Sequence, residues 1–418
     1  MPYALGIDLG HTRTSASVCR YSGGAWTDPE VASLDGAESV ESALQLSPDG
    51  AVLAGQAVAG TRAPERTVCG LPHRVGDPVP IVVGTQAYPG EVLTAALAGW
   101  VSDQLAYSLG EPASQIVLTH PPGWGSHRRR VLHEALTAAG LHGTLVLPAP
   151  IAAAEHHAVT EPIEAGNAVA VCRLGGEYAE SAVLRRSQPG FELVAHTACP
   201  DPNAGTLIDD LLIEHVADGL DAAKDDRRLR ALLRGGCVRA KELLSEQTEA
   251  TIPIPDVGLV TITRRELDDL AQPVLQAAAD QLARLAARAP ADEVVTAVLT
   301  GGTARMPLAT TLAENALRRH GVDCPVRVGA DPASAVSAGA ALIARRCLSG
   351  EPEPMVPVAA DRTPAQHARS DEYDLDEIDI GPPPPRPPVV ITPLEPPPPR
   401  RFAGLRRSPR DDEGGVGR

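Results

Sequence analysis

The run Leu5-Gly6-Ile7-Asp8-Leu9-Gly10-His11-Thr12-Arg13-Thr14-Ser15-Ala16-Ser17-Val18 reads as a strand, a tight polar turn and a second strand. The apolar stretch from Ala4 to Ile7 is short, Gly10 can adopt the angles a tight turn requires, and Ala16 to Val18 resumes an extended pattern. Successive backbone N–H groups in such a turn form a concave anion site, and a carboxylate beside it, here Asp8, can hold a hydrated divalent cation. A hairpin with a solvated aspartate at its tip fits the same residues. Segments further along the chain separate the two readings.

The strand Asn167 to Cys172 enters Arg173-Leu174-Gly175-Gly176-Glu177-Tyr178 and resumes as Ser181 to Leu184, repeating the opening layout. A buried-type strand, Val294 to Leu299, is followed by Thr300-Gly301-Gly302-Thr303-Ala304-Arg305-Met306-Pro307 and a helical pattern from Leu308 to Leu317. Glycine at a strand end lets backbone approach a ligand closely, and a helix start beyond it supplies free N–H donors. Three such turns, the first two internal echoes, predict a duplicated α/β domain closing on a phosphate-bearing ligand.

In this order the segments resemble the nucleotide-binding domain of the heat shock protein 70 chaperones, within the actin-like ATPase superfamily. The resemblance covers about residues 3–347. Ile116 to Trp124 is similar to the strand and proline that precede a helix there, and that helix, from Arg128 to Leu141, leads to Pro148-Ala149-Pro150-Ile151 and an alanine run. Val238-Arg239-Ala240-Lys241-Glu242-Leu243-Leu244-Ser245 resembles the chaperone helix that cradles adenine, and Asp331-Pro332 to Ala341 completes the set. The resemblance implies an actin-like α/β fold with two duplicated ribonuclease-H-like lobes around a nucleotide cleft. Residues 1–165 and 326–347 would form lobe I and residues 166–325 lobe II. It implies ATP or ADP as ligand, with Asp8, Gly10, His11 and Thr12 in the first phosphate loop and Arg173, Gly175 and Gly176 in the second. Lys241 and Ser245 would lie against the base, Gly301, Gly302 and Arg305 along the ribose and phosphates, and Asp8 on the metal side.

The departures from that pattern are specific. No lysine precedes Lys224, so the family's catalytic lysine is missing and Pro72 or His73 stands near its place. An acid of the family corresponds to Ala149, and the acid opening the second loop corresponds to Arg173. That loop's third glycine and its threonine become Glu177 and Tyr178, and Glu180 stands where an aspartate is usual. Val238 stands where an acid usually meets the ribose, and Glu242 replaces a usual cation. Phosphoryl transfer rests on positioning and electrostatics, so hydrolysis is expected to be impaired or absent, magnesium binding weakened, and no residue is assigned a catalytic role. Arg173 has two available partners: Asp8 in the empty protein, or the β- or γ-phosphate of a bound nucleotide.

The 418 residues suit two lobes of roughly 150–180 residues each. A net charge of −16 argues against sequence-independent nucleic-acid binding. The seven cysteines are scattered, with Cys19, Cys172, Cys237 and Cys324 in or beside apolar patterns, which reads as buried thiols in a reducing cytoplasm. No apolar run approaches the roughly 18 residues of a membrane span, and the N-terminus, carrying Asp8 in its apolar stretch, does not read as a signal peptide. His127 with His133, and His156 with His157, read as surface histidines.

Helices are predicted over Glu91 to Leu109 and Pro273 to Ala287, with another from Leu211 in which Asp209 and Asp210 act as an N-terminal cap; Ala222 to Arg230 reads as a solvated connection. From 348 to 418 the chain is expected to be a disordered, proline-rich tail, with sixteen of the forty prolines beyond Gly350. Its acidic stretch from Asp371 to Asp379 and the flanking proline runs, up to Arg401, suit protein partners of unknown identity, or simply solubility. Three functional classes follow: an active chaperone-type ATPase, a nucleotide-responsive switch or scaffold with impaired hydrolysis, and a non-binding adaptor acting through its tail. The missing lysine and acids favour the second.

Overall fold

The computed structural model describes residues 1–350 apart from 48–49, 59–62, 199–202, 221–226, 255–257 and 290–293. The described residues lie in one compact unit. The acidic and proline-rich segments of the tail, and most of the connection read at 222–230, lie outside the described residues.

The opening run forms β1 (Tyr3–Leu9) and β2 (Arg13–Ser22), paired antiparallel with Asp8 opposite Ser15. β1 is buried along its whole length, as expected of a central strand covered on both faces. β3 (Gln115–His120) lies parallel to β1, and β4 (Leu145–Pro148) parallel to β3, giving the order β4-β3-β1-β2. One face packs on α1 (Gly90–Leu109) and α2 (Ser126–Ala138) through Leu93, Leu97, Leu132 and Leu136.

A second sheet repeats this arrangement. β5 (Ala168–Leu174) pairs antiparallel with β6 (Ala179–Arg186), with Arg173 opposite Glu180 at the same step from the turn as Asp8 and Ser15. β7 (Phe191–Ala198) extends the antiparallel side. A hairpin of β8 (Glu249–Ile254) and β9 (Gly258–Thr263) stands apart from it. β10 (Val294–Thr300) runs parallel to β5, and β11 (Val326–Val328) parallel to β10, for an order of β7-β6-β5-β10-β11. β11 thus belongs to the second sheet, so the return to the first sheet comes with the last helix rather than at 326.

Two helices lie in a core shared by both sheets. α3 (Ala149–Thr160) and α8 (Ala335–Leu348) bury Ile151, Ala152, Ala340 and Leu342 against Ala4 and Val117 on one side and Val169, Val171 and Val298 on the other. α6 (Arg264–Ala286) and α7 (Pro307–Arg319) pack on the second sheet, α4 (Gly205–Asp218) packs on α6, and α5 (Arg227–Leu244) packs on α4 and the β8 strand of the hairpin, all in one apolar core.

Several expectations are corrected. α6 begins at Arg264, not Pro273, because a capping box of Thr263 and Glu266 starts it upstream. Asp209 and Asp210 lie inside α4, whose N-cap is Ala204. His157 is buried in α3 rather than on the surface, and Cys324 is only half-buried, whereas Cys19, Cys172 and Cys237 are buried. Among the described residues no helix is long and apolar enough to cross a membrane.

Candidate functional site

The two glycine turns are built alike. Gly10 N–H donates to the Arg13 carbonyl at 3.0 Å, and Gly175 N–H to the Tyr178 carbonyl at 3.1 Å. The turns face each other and touch: a Cβ on Gly176 would stand 2.5 Å from Thr12 Oγ1. Only glycine allows that approach. The start of α4 abuts the second turn, with Gly205 N–H donating to the Gly175 carbonyl at 3.2 Å. Thr303 Oγ1 donates to the same carbonyl at 2.9 Å, joining the TGG turn to this point.

Asp8 and Arg173 meet at the centre. Arg173 Nη2 donates to Asp8 Oδ2 at 2.7 Å, and Thr119 Oγ1 donates to Asp8 Oδ1 at 2.7 Å. Arg173 Nη1 lies 3.5 Å from Glu180 Oε2. The pairing expected of Arg173 in the empty protein is therefore present. Asp8 and Glu180 are each only 5% exposed, so this guanidinium supplies the countercharge that two desolvated carboxylates need. Burial pushes the Glu180 carboxyl above its ordinary value, aided by Asp8 and opposed by Arg173. For Arg173 burial works against the cation, but the two carboxylates outweigh it and hold the charge in place.

Beside this pair His11 of the first turn meets His73, Glu177 and Tyr178, which depart from the family pattern. His73, on a short 3-10 turn Leu71–Arg74, stacks on Tyr178 with centroids 4.2 Å apart and planes 23° apart. His11 sets its edge against both rings, at 4.6 Å from His73 and 5.0 Å from Tyr178. His11 Nδ1 lies 2.5 Å from Glu177 Oε2. Burial lowers the His73 imidazole to about 4, helped by His11, Arg128 and Arg173. It lowers His11 as well, against the pull of Glu177. Burial thus disfavours the charged form of both rings.

On the other side of the turns, Lys241 Nζ donates to the Gly205 carbonyl at 2.9 Å and pairs with Asp209 Oδ1 at 2.8 Å. Burial raises the Asp209 carboxyl, and Lys241 opposes the shift. Ser245 Oγ bonds back to the Lys241 carbonyl at 3.4 Å, one turn along the helix. Gly301, at φ 89°, donates its N–H to the Pro332 carbonyl at 2.7 Å and packs against the Leu174 carbonyl. Gly302 opens onto free space, with nothing within 4 Å of where a Cβ would stand. Arg305 pairs with Asp331 at 2.5 Å. Burial alone would raise the Asp331 carboxyl, but bonds from Ser334 and Arg305 bring it below its ordinary value.

Asp8, Thr12, Arg173, Gly175 and Gly176 thus meet where the turns touch, Lys241 reaches them through the Gly205 carbonyl and Gly301 through the Leu174 carbonyl, while Ser245 and Arg305 contact Lys241 and Asp331 instead. Thr119, Thr303 and the partner role of Asp209 escaped the reading. Thr119 had a signal, a polar residue closing an otherwise apolar strand. Among the described residues no group of three histidine, cysteine or acidic side chains is placed to hold a metal ion.

The family model described as Hsp70 protein matches residues 76–364. Chaperone protein DnaK of Methanothermobacter thermautotrophicus is 27% identical over 375 residues, covering 84% of this chain and 61% of the relative. Chaperone protein HscA homolog of Tolumonas auensis is 27% identical over 376 residues, covering 84% and 59%. DnaK of Thermoplasma volcanium is 24% identical over 362 residues, covering 82% and 58%. The chain spans about three-fifths of the length of these curated relatives. It belongs to the Hsp70 family.

Proposed function

We propose that this Hsp70-family chain binds an adenosine nucleotide, ATP or ADP, with impaired or absent hydrolysis, and acts as a nucleotide-responsive switch or scaffold. The observation that carries the reading is the Arg173 guanidinium bonded to Asp8 at 2.7 Å, where the family pattern has an acid. In this reading the base and ribose would lie beside Gly302, where a Cβ would meet nothing within 4 Å, with Lys241, Ser245 and Arg305 around them. Gly10, His11, Thr12, Gly175, Gly176 and Gly301 would line the path of the phosphates.

Magnesium fits poorly at Asp8. Both oxygens of that carboxylate are engaged, by Thr119 and by Arg173, and a hard cation needs free oxygen ligands. Weak or absent magnesium dependence follows. In this reading lobe I comprises residues 1–165 with α8, lobe II comprises the second sheet and its helices, and the nucleotide bridges them. The free cysteines suit a reducing cytoplasm.

Titration of the full chain with labelled ATP and ADP, with and without magnesium, tests the reading. Binding is expected with either metal condition, turnover stays near background, and Gly302→Asp abolishes binding by filling the open space. Robust magnesium-dependent hydrolysis that Asp8→Ala removes would overturn it. Unchanged affinity in Gly302→Asp would show that the ligand sits elsewhere.

A further inference from the structure

The junction of turns is open at one end and filled at the other. At the Gly302 end there is free space; from there Thr303 leads by a 2.9 Å hydrogen bond to the Gly175 carbonyl, and the next residue, Gly176, touches Thr12. Beyond that contact stand the three rings, packed at 4.2 to 5.0 Å, and the His11–Glu177 contact that ties the first turn to the second. Gly70, at φ 68°, backs His11 so closely that a Cβ there would stand 2.7 Å from Nε2. The imidazole therefore has little room to retreat on that side.

These residues come from segments far apart in the chain, and His73, Glu177 and Tyr178 are the positions that depart from the family pattern. Tyr178 and Glu177 put a ring and a carboxylate where a threonine and a glycine are expected, and His73 lies beside Pro72 near the place of the expected lysine. A phosphate reaching this end would meet two buried imidazoles, a phenol ring and the Glu177 carboxylate. Two guanidiniums act on His73, Arg128 and Arg173, and in the empty protein Arg173 is paired with two carboxylates. A terminal phosphate placed there meets the volume of the packed rings and the like charge of Glu177.

We propose that the cluster of His11, His73 and Tyr178 closes the far end of the cleft to a terminal phosphate, so that the site takes adenosine and its mono- and diphosphate in preference to the triphosphate. The inference rests on the nucleotide-binding reading above and names the ligand class of that same site. To seat a third phosphate the stacked His73–Tyr178 pair must part. Breaking each ring contact costs up to about tenfold in an equilibrium constant.

Calorimetric titration of the full chain with adenosine, ADP and ATP, each in chelator and in excess magnesium, tests it. ADP is expected to bind about tenfold or more tightly than ATP. In the double variant His73→Ala with Tyr178→Thr, which leaves every carboxylate in place, ATP affinity should rise until the preference is lost. The thermal unfolding midpoint of that variant is measured alongside, and ADP titration of it reports an intact site. Equal affinity for ADP and ATP in the wild-type chain overturns the inference. So does a preference that survives in the folded double variant, because charge rather than the rings would then discriminate. Binding of adenosine but not ADP also overturns it, by showing that the barrier begins one phosphate earlier. Failure of all three ligands to bind instead defeats the nucleotide-binding reading itself.

Discussion

Arg173 is one side chain on which both stability and ligand response depend. Truncating it leaves Asp8 and Glu180 buried side by side with no cation. Removing one partner of a buried charge cluster typically costs about 3–5 kcal/mol. Arg173→Ala should therefore lower the denaturation midpoint strongly, and a midpoint within error of the wild type would show that the carboxylates find another partner. When ADP is present the guanidinium can exchange Asp8 for a β-phosphate, a charged hydrogen bond contributing about 1.5–3 kcal/mol. ADP should then bind more weakly to Arg173→Ala; tighter binding would mean that the arginine blocks the site. Two histidines set a pH dependence. Burial lowers both His73 and His120 to about 4 from an ordinary value near 6.5. The unfolded chain therefore binds more protons than the folded one between those values, so stability present above about pH 6.5 falls as pH drops toward 4. Denaturation curves from pH 7 to 4 should show this loss, and His73→Phe should flatten it; an unchanged slope would assign the effect to other groups. Arg173, His73 and Tyr178 were legible in the sequence as departures from a pattern, and His11 as part of the first phosphate loop. Their meeting was not, because His11, His73 and Tyr178 are brought together by chain folding and no spacing encodes it.

At the scale of elements, α6 shows how a strong local signal can be overridden by a more conspicuous one. Proline favours the first turn of a helix, which made Pro273 read as its start. The helix in fact begins at Arg264, where Thr263 N–H donates to Glu266 Oε2 at 2.8 Å and Glu266 N–H donates to Thr263 Oγ1 at 3.3 Å. The Thr-x-x-Glu spacing was visible in the chain. Pro273 is tolerated because Leu267, Ala271, Val274, Leu275 and Ala278 keep the apolar face continuous on both sides of it. Thr263→Ala is expected to destabilise the protein by about 1 kcal/mol. Combined with Glu266→Ala it should cost less than the sum of the single changes, since the two groups satisfy each other. Full additivity in urea denaturation would show that the capping bonds act independently. The strands β1, β5 and β10 were more legible, since each is a short apolar run ending at a glycine turn, and β2 and β6 are the extended stretches that resume after one. α3 was hidden for the opposite reason: it is buried almost all round, so its alanine-rich sequence carries no amphipathic period.

At the scale of the molecule, the duplication was readable from two matching turns, but the way the halves are joined was not. That joint is the pair α3 and α8, which share one apolar core with both sheets. Gly339 permits it: a Cβ there would collide with the Ala152 carbonyl of α3. Glu155 reinforces it, being 2% exposed and bonded to Arg186 of β6 at 3.3 Å and to Arg346 of α8 at 2.6 Å. Because these helices touch both sheets, forcing them apart should weaken both together. Gly339→Ala displaces α8 from α3 and is expected to cost about 1–3 kcal/mol, in the range of overpacked cores. The chain's tryptophans, Trp26, Trp100 and Trp124, all precede the second sheet, so their fluorescence follows the first half while far-ultraviolet circular dichroism follows the whole. If the shared core makes the two sheets one cooperative unit, both probes should shift to lower denaturant by the same amount and remain superimposed in the variant. A tryptophan transition that separates from the dichroism transition would show that each sheet holds its own helices, and that the joint transmits little between the halves.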